Sequence, residues 1–115
     1  MIQGTCLCGT LRYEIDGPLT SMMNCHCSMC RKHHGTPFAT WAAAPIAGFR
    51  WLSDTSSLAT YRSSERGHRD FCRICGSVAP MIEESFGMVI APAGNLEGEP
   101  SIRPTKHMFV ASKTA

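Results

Sequence analysis

Seven cysteines in three short groups are the residues of this 115-residue sequence best suited to chemistry. The groups are Cys6-Leu-Cys8-Gly9, Cys25-His-Cys27-Ser-Met-Cys30 and Cys72-Arg-Ile-Cys75-Gly76. Thiolates one or two residues apart can bind a single ion, and zinc prefers such sulfur ligands. An odd number of cysteines also leaves one without a partner in any disulfide scheme. The spacing therefore predicts metal binding rather than disulfides.

The first and third groups together supply the four sulfurs of a closed zinc site. Cys6 and Cys8 are two residues apart, so on a strand both would point to the same face. Cys72 and Cys75 have the spacing of a zinc knuckle, and Gly76 tolerates the positive φ that such turns often need. We predict that these four residues, the Cys6 cluster, hold a structural zinc ion. Buried neutral thiols and an iron–sulfur centre are the alternatives.

The second group, Cys25, Cys27 and Cys30, is called the Cys25 cluster below, and it offers three thiolates with no fourth cysteine left over. Structural zinc is normally closed by four protein ligands, whereas catalytic zinc keeps one position for water or substrate. The count predicts an open, exchangeable zinc site at which chemistry takes place. The alternative is a second structural site, closed by one of three nearby histidines, His26, His33 or His34.

The elements that must position these cysteines are mostly strands. Alternating or short apolar runs, separated by glycine, proline, serine or aspartate, predict strands over 5–15, 19–24, 37–44, 49–52, 58–62, 69–72, 77–82, 88–91 and 107–111. Seven prolines spread along the chain keep helices short, so that only 31–35 suggests a helical turn. The expected class is mainly β with antiparallel sheets, and the length fits one domain over 1–115.

Charge and hydropathy narrow the expected partners and compartment. The formal net charge is +2, but seven thiolates and two zinc ions would turn it slightly negative. We therefore expect no nucleic-acid partner. No apolar run reaches the roughly 18 residues that a membrane span needs, and the first residues do not resemble a secretion signal. Clustered cysteines suit a reducing compartment, so we expect a cytoplasmic protein without a membrane partner.

Four sequence blocks carry a resemblance to a known family. They are Gly4-x-Cys-x-Cys-Gly9, Cys25-His-Cys-x-x-Cys-Arg-Lys32, Phe71-Cys-x-x-Cys-Gly-Ser77 and His107-x-Phe-Val-x-Ser-Lys113. The chain resembles the glutathione-dependent formaldehyde-activating enzymes, a family shared with centromere protein V. This resemblance implies an Mss4-like fold of folded-over antiparallel sheets with zinc-binding knuckles. It also implies a structural zinc on the Cys6 cluster and a second, catalytic zinc on the Cys25 cluster.

The implied activity is that of a carbon–sulfur lyase. Its substrates would be a small-molecule thiol such as glutathione together with a small aldehyde, formaldehyde, or the S-hydroxymethyl adduct that they form. Cys25, Cys27 and Cys30 would be catalytic, and Arg31 and Lys32 would bind the glutathione carboxylates, although solvated turn residues are the alternative. A different thiol adduct is an alternative substrate.

Two further questions follow from this interpretation. The hydroxyl of the adduct needs an acid or base, and histidine suits that role near neutral pH. His26, His34 and His107 are the candidates.

The competing hypothesis is a non-catalytic, zinc-stabilised binding module, as the centromere branch of the family suggests, although the sequence lacks a long basic extension.

Overall fold

A computed structural model describes residues 1–114. Its strands are β1 (Ile2–Thr5), β2 (Arg12–Ile15), β3 (Ser21–Cys25), β4 (Ala39–Pro45), β5 (Phe49–Trp51), β6 (Leu58–Tyr61), β7 (Arg69–Cys72), β8 (Met81–Glu83), β9 (Met88–Pro92), β10 (Leu96–Glu97) and β11 (Lys106–Met108). The α-helix α1 covers Ser28–His34, and short 3-10 helices cover Ile46–Gly48, Glu84–Phe86, Ala93–Asn95 and Val110–Ser112. Within the described residues, no helix has the length and apolar character needed to cross a bilayer.

The strands form two larger sheets and a hairpin. The first sheet has the order β10-β1-β2-β5, the second has the order β11-β3-β4-β9-β8, and β6 pairs with β7. All of these pairings are antiparallel except that of β11 with β3, which is parallel. The predicted mainly β class with antiparallel sheets is confirmed, with this one parallel pairing as an exception.

The amino-terminal segment differs from the single strand predicted over 5–15. It forms the hairpin of β1 and β2, and the first cysteine pair lies in the turn between them. Gly4 of β1 lies directly opposite Tyr13 of β2 in this hairpin. A Cβ on Gly4 would lie 2.2 Å from Cζ of Tyr13, so this position has no room for a side chain. The glycine of the first sequence block is thus required by packing.

The main core lies between the two larger sheets. Its fully buried members include Tyr13 and Ile15 from β2, and Ala42, Ala44 and Val89 from the opposite sheet. Burying a side chain such as Ile15 or Val89 stabilises the fold by roughly 1.5–3 kcal/mol. The alanines of β4 are small on both faces, which lets neighbouring layers approach closely.

The helix α1 follows β3 directly and is longer than the predicted turn over 31–35. It ends at Gly35, which has the left-handed conformation with φ 67° that favours glycine at this position. Two other predictions also differ from the structure. In the predicted strand 77–82 only the end belongs to β8, while Val78 makes a single bridge to Phe71. The predicted strand 107–111 ends at Met108.

Candidate metal centre and active site

The four sulfurs of the Cys6 cluster converge on one point. All lie within 4.8 Å of one another. The Sγ atom of Cys8 is 3.6 Å from that of Cys6 and 3.8 Å from that of Cys72. Four thiolates in a tetrahedron at roughly 2.3 Å from zinc would be about 3.8 Å apart. The Cys6 cluster therefore has the donor atoms and the spacing of a metal site, as predicted, and it fits zinc.

Two similar turns bring these sulfurs together. In the first, the Gly9 amide donates to the carbonyl of Cys6 at 3.1 Å; in the second, the Gly76 amide donates to the carbonyl of Cys72 at 2.8 Å. Both glycines have φ near the left-handed region, 83° and 80°, which residues with a Cβ rarely adopt. The prediction that Cys6 and Cys8 share one face of a strand was wrong, because a turn aims both sulfurs inward.

Two hydroxyl groups that the sequence analysis did not single out contact the Cys6 cluster. Thr10 Oγ1 is 3.1 Å from Sγ of Cys8 and 3.5 Å from Sγ of Cys72, and Ser77 Oγ is 3.2 Å from Sγ of Cys75. The hydrogen bond from Ser77 is the main cause that lowers the pKa of Cys75 to about 5. Burial alone would raise the pKa of Cys72, but hydrogen bonds from Thr10 and backbone amides lower it to about 7. Cys72 and Cys75 thus favour the thiolate form, which binds metal, whereas the pKa of Cys8 is raised.

The Cys25 cluster lies where β3 meets α1. Cys25 ends the strand, Cys27 is the N-cap of the helix and Cys30 is the helix residue that is buried. Burial, reinforced by the neighbouring thiols of Cys30 and Cys27, raises the pKa of Cys25 to about 11. Cys27 is less buried, and although burial opposes it, backbone amides and the charge of Arg69 lower its pKa. Cys27 is therefore the accessible thiol of the group.

The spacing of the Cys25 cluster is looser than that of the Cys6 cluster. Within residues 1–114, the Cys6 cluster alone brings three or more possible ligand atoms within 4.8 Å of one another. The donor set of three thiols still has the chemistry that zinc prefers. A second zinc at this position stays a prediction.

Arg69, which the sequence analysis missed, makes a direct contact with the Cys25 cluster. Its Nη1 donates to Sγ of Cys30 at 3.2 Å, and its Nε donates to the hydroxyl of Ser63 at 3.4 Å. The contact with Cys30 joins residues 39 positions apart, so local spacing does not reveal it. The feature of the sequence that could have pointed to Arg69 is the alternation of side chains along β7. It places Arg69 on the face of the strand opposite to Cys72, which belongs to the Cys6 cluster.

The two predicted substrate-binding cations point in different directions. Lys32 lines a cleft of about 360 Å³ between α1 and the β6–β7 hairpin, which we call the basic cleft. The other residues that line it are Met29, His33, Tyr61, Ser63 and Arg69. Arg31 does not line this cleft, and its Nε is buried without a hydrogen-bond partner. Consecutive helix residues are about 100° apart, which explains the divergence.

Two of the three candidate acid–base histidines form a pair. Nε2 of His26 is 2.8 Å from Nδ1 of His107, and Phe38 packs against the His26 ring at a centroid distance of 5.2 Å. Burial is the main cause that lowers the pKa of His26, followed by the charge of His107. His34 does not join them, because it packs edge-on against Trp41. The parallel pairing of β11 with β3 brings His107 to this position.

The chain is similar to known proteins in sequence and in fold. Residues 1–112 match the family model described as glutathione-dependent formaldehyde-activating enzyme. A protein of Schizosaccharomyces pombe, named as an uncharacterized lyase, is 30% identical over 77 residues. That alignment covers 65% of this chain and 53% of the yeast protein, so the chain spans about half the length of this relative. A crystal structure of a Rhodobacter sphaeroides protein superimposes with a TM-score of 0.71 at 25% identity, covering 92% of this chain and 99% of that one.

Proposed function

The chain belongs to the family of glutathione-dependent formaldehyde-activating enzymes, and on that premise we propose that it is a zinc-dependent carbon–sulfur lyase acting on a thiol–aldehyde adduct. The adduct resembles S-hydroxymethyl glutathione, formed from formaldehyde and a small thiol. The observation that carries the proposal is the separation of the cysteines into two places. One cluster is closed by four sulfurs, and the other has three thiols, an accessible Cys27 and a guanidinium at Cys30.

The two clusters have different tasks in this proposal. The Cys6 cluster would hold a structural zinc ion, since its four sulfurs fill a tetrahedron. Cys25, Cys27 and Cys30 would hold a second, exchangeable zinc ion. When bound, that ion supplies a Lewis acid that favours the thiolate form of the substrate thiol near neutral pH.

The charges around the Cys25 cluster support its use for an anionic sulfur. Three thiolates around a dication leave an excess negative charge, which disfavours a further anion. The Arg69 guanidinium contacts Cys30 directly and offsets part of that charge. Lys32 follows on the same helix and supplies a cation for a carboxylate of the thiol, whereas Arg31, the other predicted cation, does not line the cleft in which Lys32 lies.

The paired histidines are suited to donate and accept the proton of the adduct hydroxyl. In adduct formation, the thiolate sulfur attacks the aldehyde carbon, a carbon–sulfur bond forms, and the carbonyl π pair moves to oxygen, which takes up a proton. In the reverse direction, that hydroxyl proton is removed as the carbon–sulfur bond breaks. The Nε2 of His26 and the Nδ1 of His107 share one hydrogen bond, so one ring donates and the other accepts. His107 is exposed, so solvent reaches its ring.

The test combines metal content with activity. Zinc per chain is measured together with the consumption of formaldehyde in the presence and absence of glutathione, for the wild type and Cys27→Ser. We expect about two zinc ions per chain in the wild type and thiol-dependent consumption that Cys27→Ser abolishes, together with the loss of one zinc ion. One zinc ion per chain without thiol-dependent consumption would instead indicate the binding module.

The free cysteines suit a reducing compartment, and we propose that the protein acts in the cytoplasm.

A further inference from the structure

The basic cleft is lined by positively charged residues without an acidic one among those described. Lys32 and Arg69 supply two positive charges, and none of the described residues that line the cleft is acidic. His33 adds a neutral ring, since burial, followed by the charge of Arg69, lowers its pKa. A concave surface lined by two cations and no acidic residue favours an anionic ligand.

Arg69 is fixed in place before any ligand binds. Its Nε is held by the hydroxyl of Ser63 and its Nη1 by the sulfur of Cys30. The guanidinium has further N–H groups in a planar fork that matches the geometry of a carboxylate. One side chain therefore contacts the Cys25 cluster and lines the cleft at the same time. A ligand bound to this guanidinium has its remaining atoms close to Cys30.

The apolar surface of the cleft also suits an extended small molecule. Tyr61 is 65% exposed and Met29 is 39% exposed, although both are large hydrophobic residues. They line opposite walls, one on the β6–β7 hairpin and one on α1. A volume of about 360 Å³ is within the range of roughly 300–1,000 Å³ that is typical of small-molecule sites.

Building on the proposed function, we propose that the basic cleft binds a carboxylate of the thiol substrate through Lys32 and Arg69, so that the enzyme selects acidic thiols over neutral ones. Arg69 is the specificity-determining residue, because it places the carboxylate at a fixed position relative to Cys30. Lys32 adds a flexible positive charge at the opposite wall. Arg31 has no part in this contact, because it does not line the cleft.

The first experiment measures binding without chemistry. The zinc-loaded protein is titrated with S-methylglutathione, which has both carboxylates but no free thiol, and with the diethyl ester of the same molecule. We expect Lys32→Met to weaken binding of the acid roughly fivefold and Arg69→Met roughly tenfold or more, with partial recovery in Arg69→Lys. Arg12→Met removes an exposed cation elsewhere and is the matched control, with an unchanged dissociation constant.

The ester separates charge recognition from other contacts. We expect it to bind the wild type roughly tenfold more weakly than the acid, and to bind Lys32→Met and the wild type equally. Equal binding of acid and ester, an unchanged dissociation constant in Lys32→Met, or no binding to the wild type would each overturn the assignment. Lys32 is exposed, so its variant keeps the fold even if Arg69→Met is unstable.

A second readout separates this inference from the proposed function. Thiol-dependent formaldehyde consumption is compared for glutathione and for the neutral thiol β-mercaptoethanol. We expect Lys32→Met to raise KM for glutathione and to leave KM for the neutral thiol unchanged. Consumption with an unchanged glutathione KM in Lys32→Met and Arg69→Lys would overturn the cleft assignment while the lyase proposal stands. Lys32-dependent binding without any consumption would support the cleft and contradict the lyase proposal.

Discussion

Two hydroxyl side chains connect the sulfurs of the Cys6 cluster to the rest of the fold. Ser77 accepts a hydrogen bond from the Leu7 amide at 2.9 Å while it contacts Cys75, so it joins the two cysteine turns. Thr10 contacts sulfurs from both turns and also reaches the hydroxyl of Ser57 at 3.2 Å. Removing a group that orients a metal ligand in this way commonly lowers metal affinity by roughly 10–100-fold. The arrangement of the sulfurs is thus supported by more than the metal.

Single serine substitutions should distinguish the two cysteine clusters. Cys72 is fully buried in the Cys6 cluster, so Cys72→Ser removes a metal ligand and leaves three sulfurs without a closed site. We expect a loss of several kcal/mol, of the order of 3, or a failure to fold. Cys27→Ser, at a partly exposed N-cap position, should leave the thermal transition nearly unchanged. Thermal unfolding followed by circular dichroism measures both, and equal destabilisation by the two variants would show that the Cys25 cluster is structural.

His34 makes the stability depend on pH. Burial, followed by the charges of His33 and Arg69, lowers its pKa to about 4, and an unfolded imidazole titrates at about 6.5. Between these values the unfolded chain binds more protons than the folded one, so the free energy of unfolding falls as pH falls from about 6.5 to about 4. Below pH 4 this contribution does not change further.

The variant His34→Phe tests this pH dependence. Phenylalanine keeps an aromatic ring against Trp41, which His34 contacts at a centroid distance of 4.7 Å, but it has no proton to bind. We expect the variant to lose less stability than the wild type between pH 7 and pH 5.5. Urea unfolding at several pH values measures the difference, in which the contributions of the cysteines cancel. Identical slopes for the two proteins would contradict the prediction.

At the scale of the elements, the β1–β2 hairpin carries a packing constraint that can be tested. A Cβ at Gly4 would overlap the Tyr13 ring, whose burial is nearly complete. We expect Gly4→Ala to destabilise the zinc-loaded protein by about 1–3 kcal/mol, because the ring must move within a packed core. Gly94→Ala is the matched control, since no atom lies within 4 Å of its Cβ position and its φ is not positive. It should stay within roughly 0.5 kcal/mol of the wild type in denaturant unfolding.

The elements also show what the sequence could predict. Cys72 and Cys75 are close in the chain, so their spacing predicted their turn correctly. The apolar alternation around Cys6 favoured a strand, but the chain turns there because Gly9 adopts a positive φ and both sulfurs must face inward. The contact of Arg69 with Cys30 depends on how the β6–β7 hairpin packs on α1, and no local pattern encodes that packing.

At the scale of the whole molecule, β7 connects the two cysteine clusters. Cys72 at its end belongs to the Cys6 cluster, and Arg69 at its start contacts Cys30. The two residues are three apart, roughly 10 Å along an extended strand. Trp51 packs against the apolar group that contains Cys6 and Cys72, and Trp41 lies in the apolar group that contains Cys25 and Cys30. We propose that the chain is a single domain in which each cluster has its own fluorescent neighbour.

This arrangement predicts that zinc leaves the two clusters in separate steps. The three thiols of the Cys25 cluster come from one short segment, so we expect a chelator to remove their zinc first and quickly. That step should change the fluorescence of Trp41 without unfolding the domain. The second zinc joins the β1–β2 turn to the end of β7, and its removal should unfold the chain in one cooperative transition.

Chelator titration followed by fluorescence measures these two steps. In Trp51→Phe the remaining signal comes from Trp41, and we expect it to change in the first step. In Trp41→Phe the signal comes from Trp51, which packs against the apolar group that contains Cys6 and Cys72, so it should change only in the second step, together with circular dichroism. A single step that removes all zinc and unfolds the chain would contradict the prediction. It would mean that both clusters stabilise the fold, since an exchangeable ion would leave before the domain unfolds.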